Sequence, residues 1–175
     1  VHRIPWIKTW LPPGLGLVPG ETAKLFELAS SQSTLKLCPN VCIETAVERV
    51  TLRHMQQLRS TPKGLPDAIV TVTNDAWFND SSVVQHHKRC AQLVAVACRR
   101  PILSAANNGP TAWIDSSGQI VAEIKQGNRG NVVATPKIDD RQSLVLTLGD
   151  WPARIAALMF LGILVIPRSF LGPHP

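Results

Sequence analysis

"LCPNVCIETAV", residues 37–47, decides how the rest of the chain is read. A mostly apolar run ends on Cys42, and two residues later comes a carboxylate, Glu44. Apolar residues then recur at helical spacing as Val47, Val50, Leu52, Met55 and Leu58. The pattern predicts a buried strand over Leu35–Cys42, a sharp turn, and a helix over Val47–Arg59. A thiol in that turn can be a packing residue, a metal ligand, half of a disulfide or a nucleophile. Helix N-terminal amides and nearby cations favour a thiolate in general, and a thiolate attacks carbonyls to give a thioester.

Working outward, "AIVTVT" (Ala68–Thr73) reads as a second buried, β-branched strand, ended by Asn74-Asp75. Helical spacing returns from Val84 to Arg99. "PILSAAN" (101–107), "TAWID" (111–115), "QIVAEI" (119–124) and "GNVVATPKI" (130–138) read as further strands, with Asn108-Gly109 and Ser117-Gly118 as turns. The first thirty residues, rich in Pro, Gly and Trp, show no sustained period and end in a short strand around Lys24–Leu28. This order of elements predicts an α/β (α+β) fold in which helices cover a sheet.

A chain of 175 residues suffices for one domain with a real core. Fourteen prolines and eleven glycines argue against a helical bundle. The net charge of +6 raises the possibility of a nucleic-acid partner. The basic residues are scattered, however, with no interleaved aromatics to stack bases, so no nucleic acid is expected. Anionic lipid headgroups suit the sign equally well. The four cysteines, Cys38, Cys42, Cys90 and Cys98, lack the spacing of a structural zinc knuckle, so no metal is expected. A domain of this size does not need disulfide staples. No charged segment followed by an apolar one opens the chain, so no signal peptide is expected.

Near the end, Ile155–Ile166 is a run of twelve apolar or small residues, and the uncharged stretch is broken only by Arg154 between Trp151 and Pro167. A bilayer crossing takes ~20 residues. Residues 151–167 fit a transmembrane helix with Trp151 at an interface and Arg154 snorkelling, followed by a tail over 168–175. A buried C-terminal helix is the alternative.

Several motifs, taken in order, resemble the carbon–nitrogen hydrolase (nitrilase) superfamily, and within it the apolipoprotein N-acyltransferase family. They are "CPNVCIE" (38–44), "TNDAWF" (73–78), His87 at the head of a helix, "RPILSAANNGPTAWID" (100–115), "GQIV" (118–121) and "GDW" (149–151). The resemblance spans roughly residues 5 to 166. It implies that residues 1–150 form most of one half of a nitrilase-like four-layer α-β-β-α sandwich, incomplete at its N-terminus and followed by a final membrane helix. Two sheets are expected to pack, with Leu35–Cys42 and Ala68–Thr73 as adjacent strands.

By that resemblance Cys42 is the nucleophile, with Glu44 at the family's supporting glutamate and Ile43 where the family has tyrosine. Asn74, Asp75, Trp77 and Phe78 match the loop beside the nucleophile. His87, rather than His86, matches the family's histidine, and Asn107, Asn108 and Gly109 match the turn facing the pocket. The bland readings are a helix-start carboxylate for Glu44, capping residues for Asn74 and Asp75, and a surface pair for His86 and His87. The family's catalytic lysine and base glutamate are expected before residue 1. Lys8 sits at a nitrilase-like separation from Cys42 but in unmatched surroundings, and the helix after His87 reads Val94-Ala95-Val96-Ala97 where the family carries charge. The implied activity needs no cofactor: it moves a fatty acyl group from phospholipid through a cysteine thioester to the N-terminal amine of an apolipoprotein. The implied site is the bacterial inner membrane, with the catalytic domain facing the periplasm. A soluble nitrilase-type amidase and a non-catalytic remnant are the competing readings.

Overall fold

The computed structural model describes residues 20–29, 33–79 and 81–165. Lys8 and the opening residues lie outside that range. Three parallel strands form its centre: β2 (Thr34–Val41), β3 (Ala68–Asn74) and β4 (Ile102–Asn107), each rich in apolar or β-branched residues. β1 (Phe26–Ala29) pairs antiparallel with β2. After β4 the chain turns back twice through β5 (Thr111–Ile114) and β6 (Ile120–Ile124), giving one sheet in the order β1-β2-β3-β4-β5-β6. β2 and β3 are neighbours as expected, in register Cys38↔Ile69 and Asn40↔Thr71.

The crossovers are helical. α1 (Ile43–Ala46) and α2 (Glu48–Arg59) follow β2, and α3 (Ser82–Cys98) joins β3 to β4. A single 3-10 turn over Asp75–Phe78 lies between β3 and α3. The predicted helix over Val47–Arg59 begins one residue later, because Val47 sits at φ −99°, ψ 82° and separates α1 from α2. Met55 and Leu58 of α2, Ala91, Val94, Ala95 and Cys98 of α3, and Leu146 of α4 (Leu144–Leu148) form the core with one face of the sheet. Burying a Met, Ile or Leu side chain contributes about 1.5–3 kcal/mol, so this face carries most of the cohesion.

Side chains alternate along a strand, and the ladder turns that alternation into rows. On the helix-facing side one row runs Cys38–Ile69–Ile102–Ile114, and the next, nearer the C-terminal strand ends, runs Asn40–Thr71–Ser104–Ala112. The opposite face carries no helix among the described residues and exposes Phe26, Leu28, Val41 and Val72.

The described residues form a single sheet with one α layer on it, one half of the expected α-β-β-α sandwich. One expectation is corrected. "GNVVATPKI" (130–138) makes no strand. Pro136 has no N–H to donate to a ladder, and the alternation buries nothing there, since Val133 is 88% exposed. The next residues are instead held by buried Arg100, which donates through Nε to the Pro66 carbonyl at 2.6 Å and through Nη1 to the carbonyls of Asp139 and Arg141.

The last helix, α5 (Trp151–Val165), stands away from the core, with Ile155, Leu158, Met159, Phe160, Leu161 and Ile163 all exposed. Fifteen residues rise about 22 Å, less than a hydrocarbon layer of ~30 Å. Among the described residues, no helix is long and apolar enough to cross a membrane. Ile166 and Pro167, included in the predicted span, lie outside the described residues.

Candidate active site

Cys42 is the single residue between β2 and α1, and its backbone sits at φ 50°, ψ −113°. A non-glycine residue there is strained by about 1–3 kcal/mol, so its surroundings must hold it. Its N–H donates to the Val72 carbonyl at 2.9 Å, continuing the β2–β3 ladder past the strand end. Its carbonyl accepts from the Thr45 N–H at 3.2 Å and faces His87 Nε2 at 3.1 Å. Glu44 turns back on the strand, and its Oε2 accepts the Val41 N–H at 2.7 Å. The strand–turn–helix read from the sequence is present, with the thiol half-buried at its apex.

Beneath the turn lies a polar cluster that the sequence reading missed. Asn40 Nδ2 donates to Thr51 Oγ1 at 2.7 Å and to Thr45 Oγ1 at 3.4 Å. The Thr45 and Thr71 hydroxyls are 3.0 Å apart, and Thr51 Oγ1 donates to the Glu44 carbonyl at 3.0 Å. All four residues are buried. Buried polar groups destabilise unless hydrogen-bonded; here the bonds join β2, β3, α1 and α2 around Cys42. Polar residues in otherwise apolar strands, at positions 40, 71 and 73, were the available signal.

The loop after β3 supplies the second half of the site. Asp75 is only 2% exposed, and its Oδ1 accepts from Thr73 Oγ1 at 2.9 Å and lies 3.0 Å from His87 Nδ1. Gly109, expected in the turn facing the pocket, makes room for it: a Cβ at that position would meet Asp75 Oδ2. Asn74 Oδ1 accepts the Ala76 N–H at 3.3 Å and Asn107 Nδ2 at 2.9 Å, tying the ends of β3 and β4 together. Asn108 turns the chain at φ 56°. Trp77 (80% exposed), Ile43 (62%) and Phe78 present apolar surface nearby in sequence to these groups.

The structure thus joins Cys42, Asp75 and His87 in one hydrogen-bonded chain, pairs Asn74 with Asn107, and ties Glu44 to the backbone. His86 is exposed and His87 buried on the same helix, which corrects the reading of a surface pair. The other thiols divide sharply. Burial pushes Cys38 and Cys98 up to about 12, leaving both protonated and unreactive. All four cysteines are free, and among the described residues no group of three or more His, Cys, Asp or Glu side chains can hold a metal.

No family model matches the chain. Individual proteins do. The apolipoprotein N-acyltransferase of Rhodopirellula baltica is 57% identical over 155 residues, covering 87% of this chain and 26% of that protein. Those of Shewanella oneidensis and Photobacterium profundum are 34% and 30% identical, covering 74% and 77% of this chain. Among solved structures, a mutant of the Nesterenkonia AN1 amidase from the nitrilase superfamily overlays 62% of this chain and 40% of its own, at 16% identity and a TM-score of 0.46. The chain spans about a quarter of the length of the curated relatives it matches. Over that quarter, the chain belongs to the apolipoprotein N-acyltransferase family.

Proposed function

We propose that this chain forms the nucleophile-bearing part of an acyltransferase that moves a fatty acyl group from phospholipid to the N-terminal amine of an apolipoprotein. The observation that carries the reading is Cys42, held in a strained turn between strand and helix, inside a region 57% identical to a protein named for that reaction. The Cys42 thiolate attacks the phospholipid ester carbonyl, and the tetrahedral intermediate collapses to a thioester as the lysolipid alcohol leaves with a proton. The apolipoprotein amine then attacks the thioester, loses a proton, and releases the thiolate. A glutamate base and a lysine, as the family resemblance implies, move the protons and stabilise the oxyanion. Glu44, bonded to Val41, holds the turn, while Ile43, Trp77 and Phe78 offer apolar surface to the acyl chain.

The exposed apolar α5 anchors the domain at the bacterial inner membrane, with the site facing the periplasm. An unpartnered apolar helix of this kind is otherwise an association hazard in water.

A chimera tests the reading: residues of this chain replace the matching quarter of the Rhodopirellula baltica relative. With an alkyne-tagged phospholipid, the chimera is expected to form a hydroxylamine-labile adduct. Cys42→Ser abolishes it, because serine is almost entirely un-ionised without a base tuned to it, and Cys90→Ser leaves it intact. An adduct that survives Cys42→Ser removes the nucleophile assignment.

A further inference from the structure

We infer that the Asp75–His87 pair is a positioning device that locks the Cys42–Ile43 peptide through the Cys42 carbonyl. The inference extends the nucleophile reading of Cys42, but it rests on different observations.

The first is the chemistry of the two atoms that the ring faces. His87 Nε2 lies 3.1 Å from the carbonyl oxygen of Cys42, and a carbonyl only accepts. That nitrogen therefore donates. His87 Nδ1 lies 3.0 Å from Asp75 Oδ1, which also accepts the Thr73 hydroxyl at 2.9 Å. Both groups are buried, so the Asp75 carboxyl fixes the ring that holds the Cys42 carbonyl.

The second observation is what the ring holds. The Cys42 carbonyl is fixed by two donors, His87 Nε2 and the Thr45 N–H. A trans peptide is planar, with C=O and N–H on opposite sides. Pinning the carbonyl toward α3 therefore turns the Ile43 N–H away from α3. Because Cys42 occupies a strained backbone region, the peptide has other orientations to relax into if the ring releases it. His87 acts through this peptide and touches no substrate.

Amide exchange of the full chain in detergent tests the lock without any turnover: His87→Ala is expected to speed exchange at Cys42 and Thr45 about tenfold or more over core amides of α3, and His87→Gln, which keeps one donor, to recover most of it. Unchanged exchange in His87→Ala removes the positioning role. Adduct formation by the chimera is read separately, so either proposal can fail while the other stands.

Discussion

The row Cys38–Ile69–Ile102–Ile114 and the row Asn40–Thr71–Ser104–Ala112 lie one pleat apart on the same sheet face, under the same two helices. The first is apolar and holds a thiol that burial keeps protonated. The second is largely polar, is wired to α1 and α2 through hydroxyl and amide groups, and leads to a thiol two residues on, in the turn that follows β2. One strand and the turn that ends it thus present a cysteine to each environment, Cys38 and Cys42. Position along the chain, not residue type, separates an inert thiol from a candidate nucleophile.

Breaking the apolar row should have the largest effect. Ile102 is fully buried between Ile69 and Ile114, and Ile102→Ala removes a branched side chain that the close-packed surroundings cannot refill. Unfolding in urea is expected to show a loss of about 4 kcal/mol. Thr71→Ala in the polar row is expected to destabilise by less while disturbing the Thr45 contact under Cys42. A larger loss for Thr71→Ala would mean that the hydroxyl cluster, not the isoleucines, carries this face.

The two buried thiols sharpen the comparison through alkali. Unfolded, each ionises near 9.0; folded, Cys38 and Cys98 ionise only near about 12. Below pH 9 both states keep the proton and the thiols' contribution to stability is complete. Above it the unfolded chain releases protons that the folded one retains, so stability falls until the folded value is passed. At pH 10 the loss is about 1.4 kcal/mol per thiol relative to neutral pH, and Cys38→Ala should remove about half of the combined slope. A slope unchanged in that variant would place the alkaline transition elsewhere.

Much of this frame was legible in the sequence because period-two and helical spacing are local properties. "LCPNV" and "AIVTVT" announced two buried strands, and their pairing followed. The turn at Cys42 was legible as a strand that stops where a helix begins. The Asp75–His87 link was not, because those residues meet only once α3 folds back across β3; spacing cannot distinguish a buried His87 from an exposed His86. The strand expected over 130–138 failed for a related reason. Its alternation is real, but whether a ladder forms depends on a partner edge, and Arg100 holds the following residues by their carbonyls instead.

Gly109→Ala tests the crowding at the polar end. The added Cβ meets Asp75 Oδ2 at 2.2 Å and its Cβ at 2.9 Å, and Asp75 is already bonded to Thr73 and His87. Something must shift, at about 2 kcal/mol. The shift should appear in the His87 ring resonances before it appears elsewhere. A variant as stable as wild type with unmoved His87 signals would show that the loop after β3 yields freely.

The smallest effect lies at the other end of the sheet, where a carboxylate meets a permanently charged partner rather than a histidine. Arg141 donates to both oxygens of Asp139, at 2.9 and 2.7 Å, and with help from Ser116 holds that carboxyl well below the usual range. A depressed carboxyl contributes stability above the unfolded value, and the contribution is lost as pH falls through the folded one. The guanidinium stays charged throughout, so this pair answers only to acid. The Arg141 side chain is mostly exposed, and solvent screens such a pair strongly. Asp139→Asn should therefore lower the melting temperature slightly at neutral pH, and the gap from wild type should close as the pH is taken below the ordinary carboxylate range. A gap that widens in acid would mean that Asp139 acts through its backbone bond to Arg100 and not through its charge.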